Sequence, residues 1–352
     1  MVKTCNIKVA VSQRIDTHPY TEQLYSKVKE KGVVVYAPGS KVDFFRKLIK
    51  ANIIHLHWIE YFIRSKNVLL TFLKAAIFIS GLLLLKLLGK RLVITLHNIK
   101  PHEILHPHLE SVSFKLSLKL ADAVIVHNNY AKEMVNKVYG IATEKVSVIP
   151  HGNFVSYYPN YITREEARAK LAVSENKFVL LFFGMMRPYK GLEKLIDALK
   201  SILTYNEDLL IMIVGKCSAQ NLKEALHRFS NDFPRNCIIK LQHIPDEEVQ
   251  LYMNSCDIGI LPYKEVTTSG ALLLYMSFGK PVIVPQLEPV KETVGDVGVY
   301  YDPKKEGSLE SVITKSRDLD LATISRKMFE KASEYNWDEI ADRTAGVYSR
   351  VL

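Results

Sequence analysis

The sequence predicts an α/β protein of two successive domains, each built on an open parallel sheet. Three observations predict it. With 352 residues the chain is too long for one ordinary domain. Short apolar runs alternate with stretches of helical periodicity along most of its length, the pattern of strand–helix–strand units. That alternation breaks once, near the middle, where Pro150-His151-Gly152-Asn153 reads as a turn and the stretch to Thr163 has no clear period.

In the first half, strands are expected at Ile7–Val11, Val33–Tyr36, Ile53–Leu56, Leu92–Leu96, Ala123–Val126 and Val146–Ile149. Strands buried on both faces of a parallel sheet read as continuous apolar runs, as these do. Between them, Tyr20–Lys31, Lys41–Lys50, Val68–Leu88, Val112–Leu120 and Ala131–Tyr139 carry helical patterns. The second half repeats the scheme. Its expected strands are Phe178–Phe183, Leu209–Val214, Ile238–Leu241, Ile258–Leu261, Pro281–Val284 and Val299–Tyr301. Helices are expected at Leu192–Leu203, Ala219–Phe229, Asp246–Asn254 and Gly270–Phe278. The domains are drawn at 1–155 and 156–334, with 335–352 set apart. Ligands of open parallel sheets bind beyond the carboxyl ends of the strands, so a cleft between the domains is the expected site.

Composition narrows the function. Apolar residues at 48% can fill two cores, and charged residues at 24% are ordinary for a globular protein. The formal net charge of +10 suggests an anionic partner: a nucleotide, a membrane surface or a nucleic acid. No basic stripe or known reading module accompanies it, so nucleic acid is set aside. Cys5, Cys217, Cys237 and Cys256 are scattered without a CxxC pair, which argues against a disulfide framework or a cysteine metal site and suits a reducing cytosol. The N-terminus reads as a first strand without the apolar stretch of a signal peptide.

The richest segment is Phe183-Gly184-Met185-Met186-Arg187-Pro188-Tyr189-Lys190-Gly191. It lies where the apolar run Phe178–Phe183 gives way to helical spacing at Leu192, Leu195, Ile196 and Leu199. A helix start offers unpaired N–H donors and the positive end of the dipole, both favourable to an anion. Arg187 adds a planar fork and Lys190 a point charge beside the same turn. Together they describe a diphosphate seat.

Gly184-x-x-Arg187-x-x-Lys190-Gly191 resembles the donor-diphosphate motif of nucleotide-sugar glycosyltransferases with the two-domain GT-B fold, notably glycosyltransferase family 4. The resemblance continues through Ile213-Val214-Gly215-Lys216, Pro245-Asp246-Glu247-Glu248-Val249, Ser255-Cys256-Asp257-Ile258, Leu261-Pro262-Tyr263 and Ser277-Phe278-Gly279-Lys280-Pro281-Val282-Ile283. It implies two Rossmann-like domains facing a cleft, with the nucleotide sugar on the second. Tyr335-Asn336-Trp337, followed by Tyr348, resembles the terminal helix that crosses back to the first domain in that fold. Gly184, Arg187, Lys190, Gly215 and Lys216 are the implied donor-binding residues. One departure stands out. Family 4 carries two glutamates separated by seven residues, and here the second position is Leu274 while the first falls at Val266, beside Glu265. Thr267-Thr268-Ser269-Gly270 opens the adjoining helix instead, and Thr268, Ser269 and Gly270 are suited to phosphate or ribose oxygens.

In the first half, Thr95-Leu96-His97-Asn98 and Pro101-His102-Glu103 resemble a segment of bacterial and archaeal sugar transferases. His97 is the candidate for contacting the transferred sugar or the departing phosphate, and Glu103 for general base toward the acceptor hydroxyl. His18-Pro19-Tyr20 reads as an acceptor-facing loop. His55 and His57 share one strand face, but no third ligand completes a metal site. His151-Gly152-Asn153 reads as a hinge turn, with donor contact by Asn153 an alternative.

The reading is a hexosyltransferase with a nucleoside diphosphate sugar as donor substrate and no cofactor. GDP-mannose is the guess and a UDP-sugar the alternative, and catalysis is expected to be metal-independent. The acceptor is a lipid-linked saccharide or glycan precursor. Val68–Leu88 is expected either as a buried helix or as one lying in the membrane interface, with Lys74, Lys86, Lys90 and Arg91 meeting headgroups. The implied place is cytoplasmic, peripheral on the inner face of the cell membrane. Competing readings are a non-catalytic nucleotide-sugar-binding protein and a GT-B sugar epimerase. With the second glutamate replaced, transfer with inversion is expected.

Overall fold

The computed structural model describes residues 6–38, 41–99 and 105–352. The chain divides into two compact units, Met1–Gly152 with Tyr335–Leu352, and Asn153–Glu334.

The first unit is a six-stranded parallel sheet. Its strands are β1 (Lys8–Val11), β2 (Val34–Tyr36), β3 (Ile53–His57), β4 (Arg91–Thr95), β5 (Ala123–Val126) and β6 (Val146–Val148), in the order β2-β1-β3-β4-β5-β6. Alternation along each strand sorts its side chains onto two cores. Val9, Val11, Ile53, Val93 and Ile125 lie in one, together with Trp337, Ile340 and Tyr348. Ala10, Ile54, Leu92, Ile94, Val124 and Val126 lie in the other. The helix Trp337–Val351 and the helix Pro19–Glu30 pack on each other over the first of these.

The helix Pro107–Leu120 begins earlier than the apolar period suggested, because Pro107 takes the first helical position, where its missing N–H costs nothing. The helix Val68–Leu87 is one continuous piece, long and apolar enough by length and composition to cross a membrane. It is not the plain core helix weighed from the sequence. Of its residues only Thr71, Ala75 and Leu82 are buried, while Leu69, Phe72, Leu73, Ile77, Leu84 and Leu87 are exposed. Its lysines also differ from expectation. Lys74 Nζ donates to the carbonyl of Arg64 at 3.0 Å, and Lys86 Nζ meets Asp122 at 2.6 Å. Lys90 Nζ donates to the carbonyls of Ile49 and Ala51, and Arg91 lies 3.6 Å from Asp122.

The second unit is also a six-stranded parallel sheet, of β7 (Phe178–Phe183), β8 (Leu209–Val214), β9 (Cys237–Lys240), β10 (Ile258–Ile260), β11 (Val282–Pro285) and β12 (Val299–Tyr301), ordered β12-β11-β10-β7-β8-β9. β7 and β8 are buried nearly throughout, as their uninterrupted apolar runs require. A helix at Arg164–Lys170, which the sequence reading did not place, follows directly on the stretch read as the linker. It is opened by a capping box between Thr163 and Glu166, a signal present in the sequence. Arg168 on that helix is fully buried and pairs with Asp257 at 2.8 Å, and Asp257 also accepts from the Val179 N–H at 2.7 Å. The acid of the Ser255-Cys256-Asp257 segment thus ties β7 to the strand it pairs with, β10.

Candidate functional site

In the second unit the chain runs from β7 out to β8 and β9, then returns to lay β10 on the other side of β7. The carboxyl ends of β7 and β10 therefore flank the point where the strand order reverses, where open α/β sheets take ligands. Gly184 follows β7 and Leu261-Pro262 follow β10. Gly184 and Gly215 have φ of 122° and 140°, and a Cβ at residue 215 would stand 2.1 Å from the Gly184 carbonyl oxygen. Only glycine at 215 lets the ends of β7 and β8 close in this way.

Pro188–Lys190 forms a 3-10 turn ahead of the helix Leu192–Leu203, which starts where its periodicity predicts. The turn sends Lys190 inward. Its ammonium lies 3.3 Å from where a Cβ on Gly184 would be, and 5.8 Å and 5.9 Å from the ring centres of Phe182 and Tyr263. Lys190 is 7% exposed, and Nζ has no hydrogen-bond or ion-pair partner among the described residues. Burial, helped by neighbouring Arg187, pulls its pKa down to about 8. Across the switch point, Ser269 caps the helix Gly270–Ser277 by accepting from the Leu272 N–H at 3.0 Å, and its hydroxyl lies 2.6 Å from that of Tyr263. The Ala271 Cβ, one residue into this helix, is 4.0 Å from the Cβ position of Gly184. Thr268 Oγ1 is buried without a hydrogen-bond partner.

Gly184, Lys190, Ser269 and the start of the helix at Gly270 are therefore together, with Thr268 and Gly215 on the adjoining turns. A buried ammonium and a buried hydroxyl, both unpartnered beside a helix N-terminus, are costly unless an anion joins them. Arg187 is half-buried on the same turn. Lys216 is exposed, and its carbonyl accepts from the Met186 N–H at 2.8 Å. Leu274 is a buried apolar residue of the helix Gly270–Ser277, so no carboxylate stands at that position.

In the first unit, histidines follow or end successive strands. The register sets Thr95 beside both His57 and Ile125, which aligns His57, His97 and His127 across β3, β4 and β5. His127 escaped the sequence reading, although a histidine just beyond each strand was the available signal. The resulting chain of imidazoles has one consistent set of tautomers. His127 Nδ1 lies 2.9 Å from the Ile149 carbonyl oxygen, which can only accept, so Nδ1 carries the proton. Neutral His127 then accepts at Nε2 from His97 Nδ1, and His97 accepts at Nε2 from His57 Nδ1, both at 3.1 Å. His57 accepts at Nε2 from the Tyr25 hydroxyl at 2.6 Å. His55 Nδ1 lies 2.9 Å from the Tyr25 oxygen and 2.6 Å from that of Tyr348, with its Nε2 2.8 Å from Thr95 Oγ1.

Burial keeps the chain neutral. It pulls His55 down to about 3 and His127 to about 4, and holds His57 and His97 well below the usual histidine value, with help from neighbouring histidines. His151 is likewise drawn to about 3. Both nitrogens of His97 are thus committed to other imidazoles, and neither is left for the sugar or phosphate contact expected of it. His97 is nonetheless partly exposed, its ring stacked on Trp58 at 4.0 Å and 5°.

Tyr20, expected on an open acceptor-side loop, is a packing residue. It is 2% exposed, with its ring against His97, His127, His151 and Trp337. His18 caps the helix Pro19–Glu30, its Nδ1 accepting from the Tyr20 N–H at 3.2 Å. Asn153 serves the fold, donating to the Ala332 carbonyl at 2.9 Å and accepting from the Val155 N–H. Glu103 lies outside the described residues. Among the described residues no group of three or more His, Cys, Asp or Glu is arranged to hold a metal ion.

Comparison with known proteins agrees with this architecture. The family model described as Glycosyltransferase Family 4 matches residues 8–153, and that described as Glycosyl transferases group 1 matches residues 177–316. The chain is 24% identical over 339 residues to a GDP-mannose:glycolipid 4-beta-D-mannosyltransferase of Xanthomonas campestris, a match covering 96% of this chain and 89% of that one. Among solved structures, the Anabaena protein HepE in complex with UDP superposes with a TM-score of 0.72 at 17% identity, covering 97% of this chain and 99% of that one. Sucrose-phosphate synthase from Thermosynechococcus elongatus does so with a TM-score of 0.74 at 16% identity, covering 97% and 98%. Two Rossmann-like sheets of this topology define the GT-B fold, and the paired family matches assign its chemistry. The chain is a glycosyltransferase of the family 4 type.

Proposed function

We propose that the protein transfers a hexose, mannose in the first instance, from a nucleoside diphosphate sugar to a lipid-linked saccharide or glycan precursor. The observation that carries this reading is the buried, unpartnered ammonium of Lys190 between Gly184 and the helix start at Gly270. In the reaction the glycosidic C–O bond breaks toward the diphosphate, where negative charge grows. Lys190, Arg187 and the helix N-terminus are aimed where that charge develops and stabilise the transition state more than the bound donor. On this reading the protein's own cations neutralise the diphosphate, so activity persists in a chelator. GDP-mannose is the proposed donor, in keeping with the name of the Xanthomonas relative; a UDP-sugar is the alternative.

Transfer is proposed to invert the anomeric centre, giving a β-linked product from an α-linked donor. The same relative, named for a 4-beta linkage, supports this, as does Leu274 in place of the family's second glutamate. Glu103 remains the proposed base. His97 is not, since neither nitrogen has a free lone pair. The exposed apolar side of Val68–Leu87 is proposed to lie against the membrane that carries the acceptor. Because Lys74, Lys86 and Lys90 are engaged within the protein, that attachment is mainly apolar, and detergent should release it better than salt.

The test is to incubate the purified chain with GDP-mannose or UDP-glucose and a lipid extract, with chelator present, and to follow sugar incorporation. Labelled glycolipid with a β anomeric proton signal supports the reading, whereas an α product removes inversion. Nucleotide binding without turnover on any extract favours the non-catalytic alternative.

A further inference from the structure

The first unit has its own switch point. From β1 the chain goes out to β2 and returns to place β3 on the other side of β1, so the reversal falls between the carboxyl ends of β1 and β3. Trp58 follows β3 directly, and His18 lies on the connection that leaves β1. The two rings are 4.9 Å apart.

Trp58 is unusual on two counts. It has φ of 46°, a left-handed conformation that bulky side chains avoid. It is also half-buried while its neighbours Leu56, His57 and Ile59 are buried. Strained backbone of this kind persists where the surroundings over-determine it, and such sites cluster at ligand contacts. Here the over-determination is visible. The His97 ring lies flat against Trp58, and His97 is itself pinned at both nitrogens by His57 and His127. His18 is fixed as well. Because its Nδ1 accepts from the Tyr20 N–H, the neutral ring carries its proton on Nε2, which has no partner among the described residues. Burial lowers the His18 pKa, which favours that neutral form.

The switch point of the first unit thus presents a rigid aromatic ring and the His18 Nε2–H, while Arg14 on the same connection is paired with Asp16. That combination does not suit a phosphate. It suits a pyranose, whose axial C–H groups form an apolar face and whose rim carries hydroxyls. We propose that Trp58, backed by His97 and flanked by His18, seats one sugar ring of the acceptor by stacking and by a hydrogen bond from His18 Nε2–H to a hydroxyl. The proposal rests on the glycosyltransferase reading above and assigns its acceptor end to Trp58.

Saturation-transfer NMR on the full chain tests it, with cellobiose, N,N′-diacetylchitobiose and mannobiose as saccharide probes and GDP and UDP as donor-side probes. At least one disaccharide should receive saturation on the C–H protons of one ring face. Trp58→Ala should abolish that signal and Trp58→Phe should keep it. His18→Ala should weaken the affinity severalfold, and GDP or UDP binding should be the same in all three variants. Trp58→Leu, which keeps bulk without a π face, decides the matter if the alanine variant does not fold; its signal should be lost. Saccharide signals that survive Trp58→Ala or Trp58→Leu overturn the proposal. So does the absence of any saccharide signal while a nucleotide binds, and that result leaves the donor site standing. Failure of both nucleotides to bind instead overturns the glycosyltransferase reading, and this proposal with it.

Discussion

The two switch points of this protein solve opposite problems on the same scaffold. Both lie at the carboxyl ends of six-stranded parallel sheets. In the first unit, polar rings are packed until each hydrogen bond of the imidazole chain is met from within, from the Ile149 carbonyl back to Tyr25 and His55. In the second, the polar groups are left short: the Lys190 ammonium has no hydrogen-bond or ion-pair partner among the described residues, and Thr268 Oγ1 has no hydrogen-bond partner. A saturated network holds its shape without a ligand and is neutral. An unsaturated one is unstable alone and is completed by an anion. On the proposed reading, that difference divides the labour between a shaped acceptor seat and a charged donor seat.

The sharpest way to break the comparison is acid. His55, His57, His97, His127 and His151 all have folded pKa values below that of an unfolded histidine. The unfolded chain therefore takes up protons first. Stability is fully present above about pH 6.5 and falls as pH drops toward the folded values, by up to about 1.4 kcal/mol per pH unit for each histidine. Several such groups exceed a typical domain's whole stability within two or three pH units. Both tryptophans, Trp58 and Trp337, belong to the first unit, so their fluorescence reports that unit alone. It should change in acid before the far-UV circular dichroism completes its loss. A single coincident transition would mean that the histidine network does not set the acid limit.

The next effect belongs to the donor side. Lys190→Ala should lower turnover about a hundred- to a thousandfold, on the order of 3–4 kcal/mol in the barrier, and should leave the thermal midpoint equal or higher because an unpaired buried cation is removed. Normal turnover would dismiss the diphosphate seat. A smaller effect is pH-dependent. Since the free Lys190 titrates near 8, nucleotide affinity should fall above that pH, by up to about tenfold per unit, and calorimetry at pH 8 to 9 should register proton uptake on binding. Affinity flat from pH 7 to 9.5 would place the anion elsewhere. The smallest is Arg187→Lys, expected to cost about tenfold in kcat/KM, because a point charge cannot match a two-pronged phosphate contact.

Much of this was legible in the sequence, and the misses have physical reasons. Continuous apolar runs marked β7 and β8 at their observed limits, because strands buried on both faces leave no room for polar residues. Gly184, Lys190 and the Thr267–Gly270 turn were singled out because anion chemistry needs particular residue types near a helix start, and the structure brings Gly184, Lys190 and the start of that helix together. The inward course of Lys190 was not legible, since it depends on a 3-10 turn at Pro188–Lys190. Tyr20 looked exposed because its neighbours His18 and Pro19 suggested a loop, whereas tertiary packing places it among four rings of other segments. The role of His97 was misread for the same reason: its hydrogen bonds come from residues 40 and 30 positions away.

The last helix bears on how the chain is made. Trp337, Ile340, Ala341, Ala345, Val347 and Tyr348 complete a core whose other buried members lie between Ile7 and Ile149, and the Tyr348 hydroxyl sits on His55. The second unit, by contrast, is one unbroken stretch, Asn153–Glu334. During synthesis the later unit is ready to fold first, while the earlier one waits with an open hydrophobic face until the ribosome delivers its final turns. At that stage only the helix Pro19–Glu30 covers that side of its sheet. The nascent first half therefore needs shelter for the time it takes to translate the second, and a stop codon near Trp337 would leave the N-terminal unit, rather than the C-terminal one, as the part prone to aggregate.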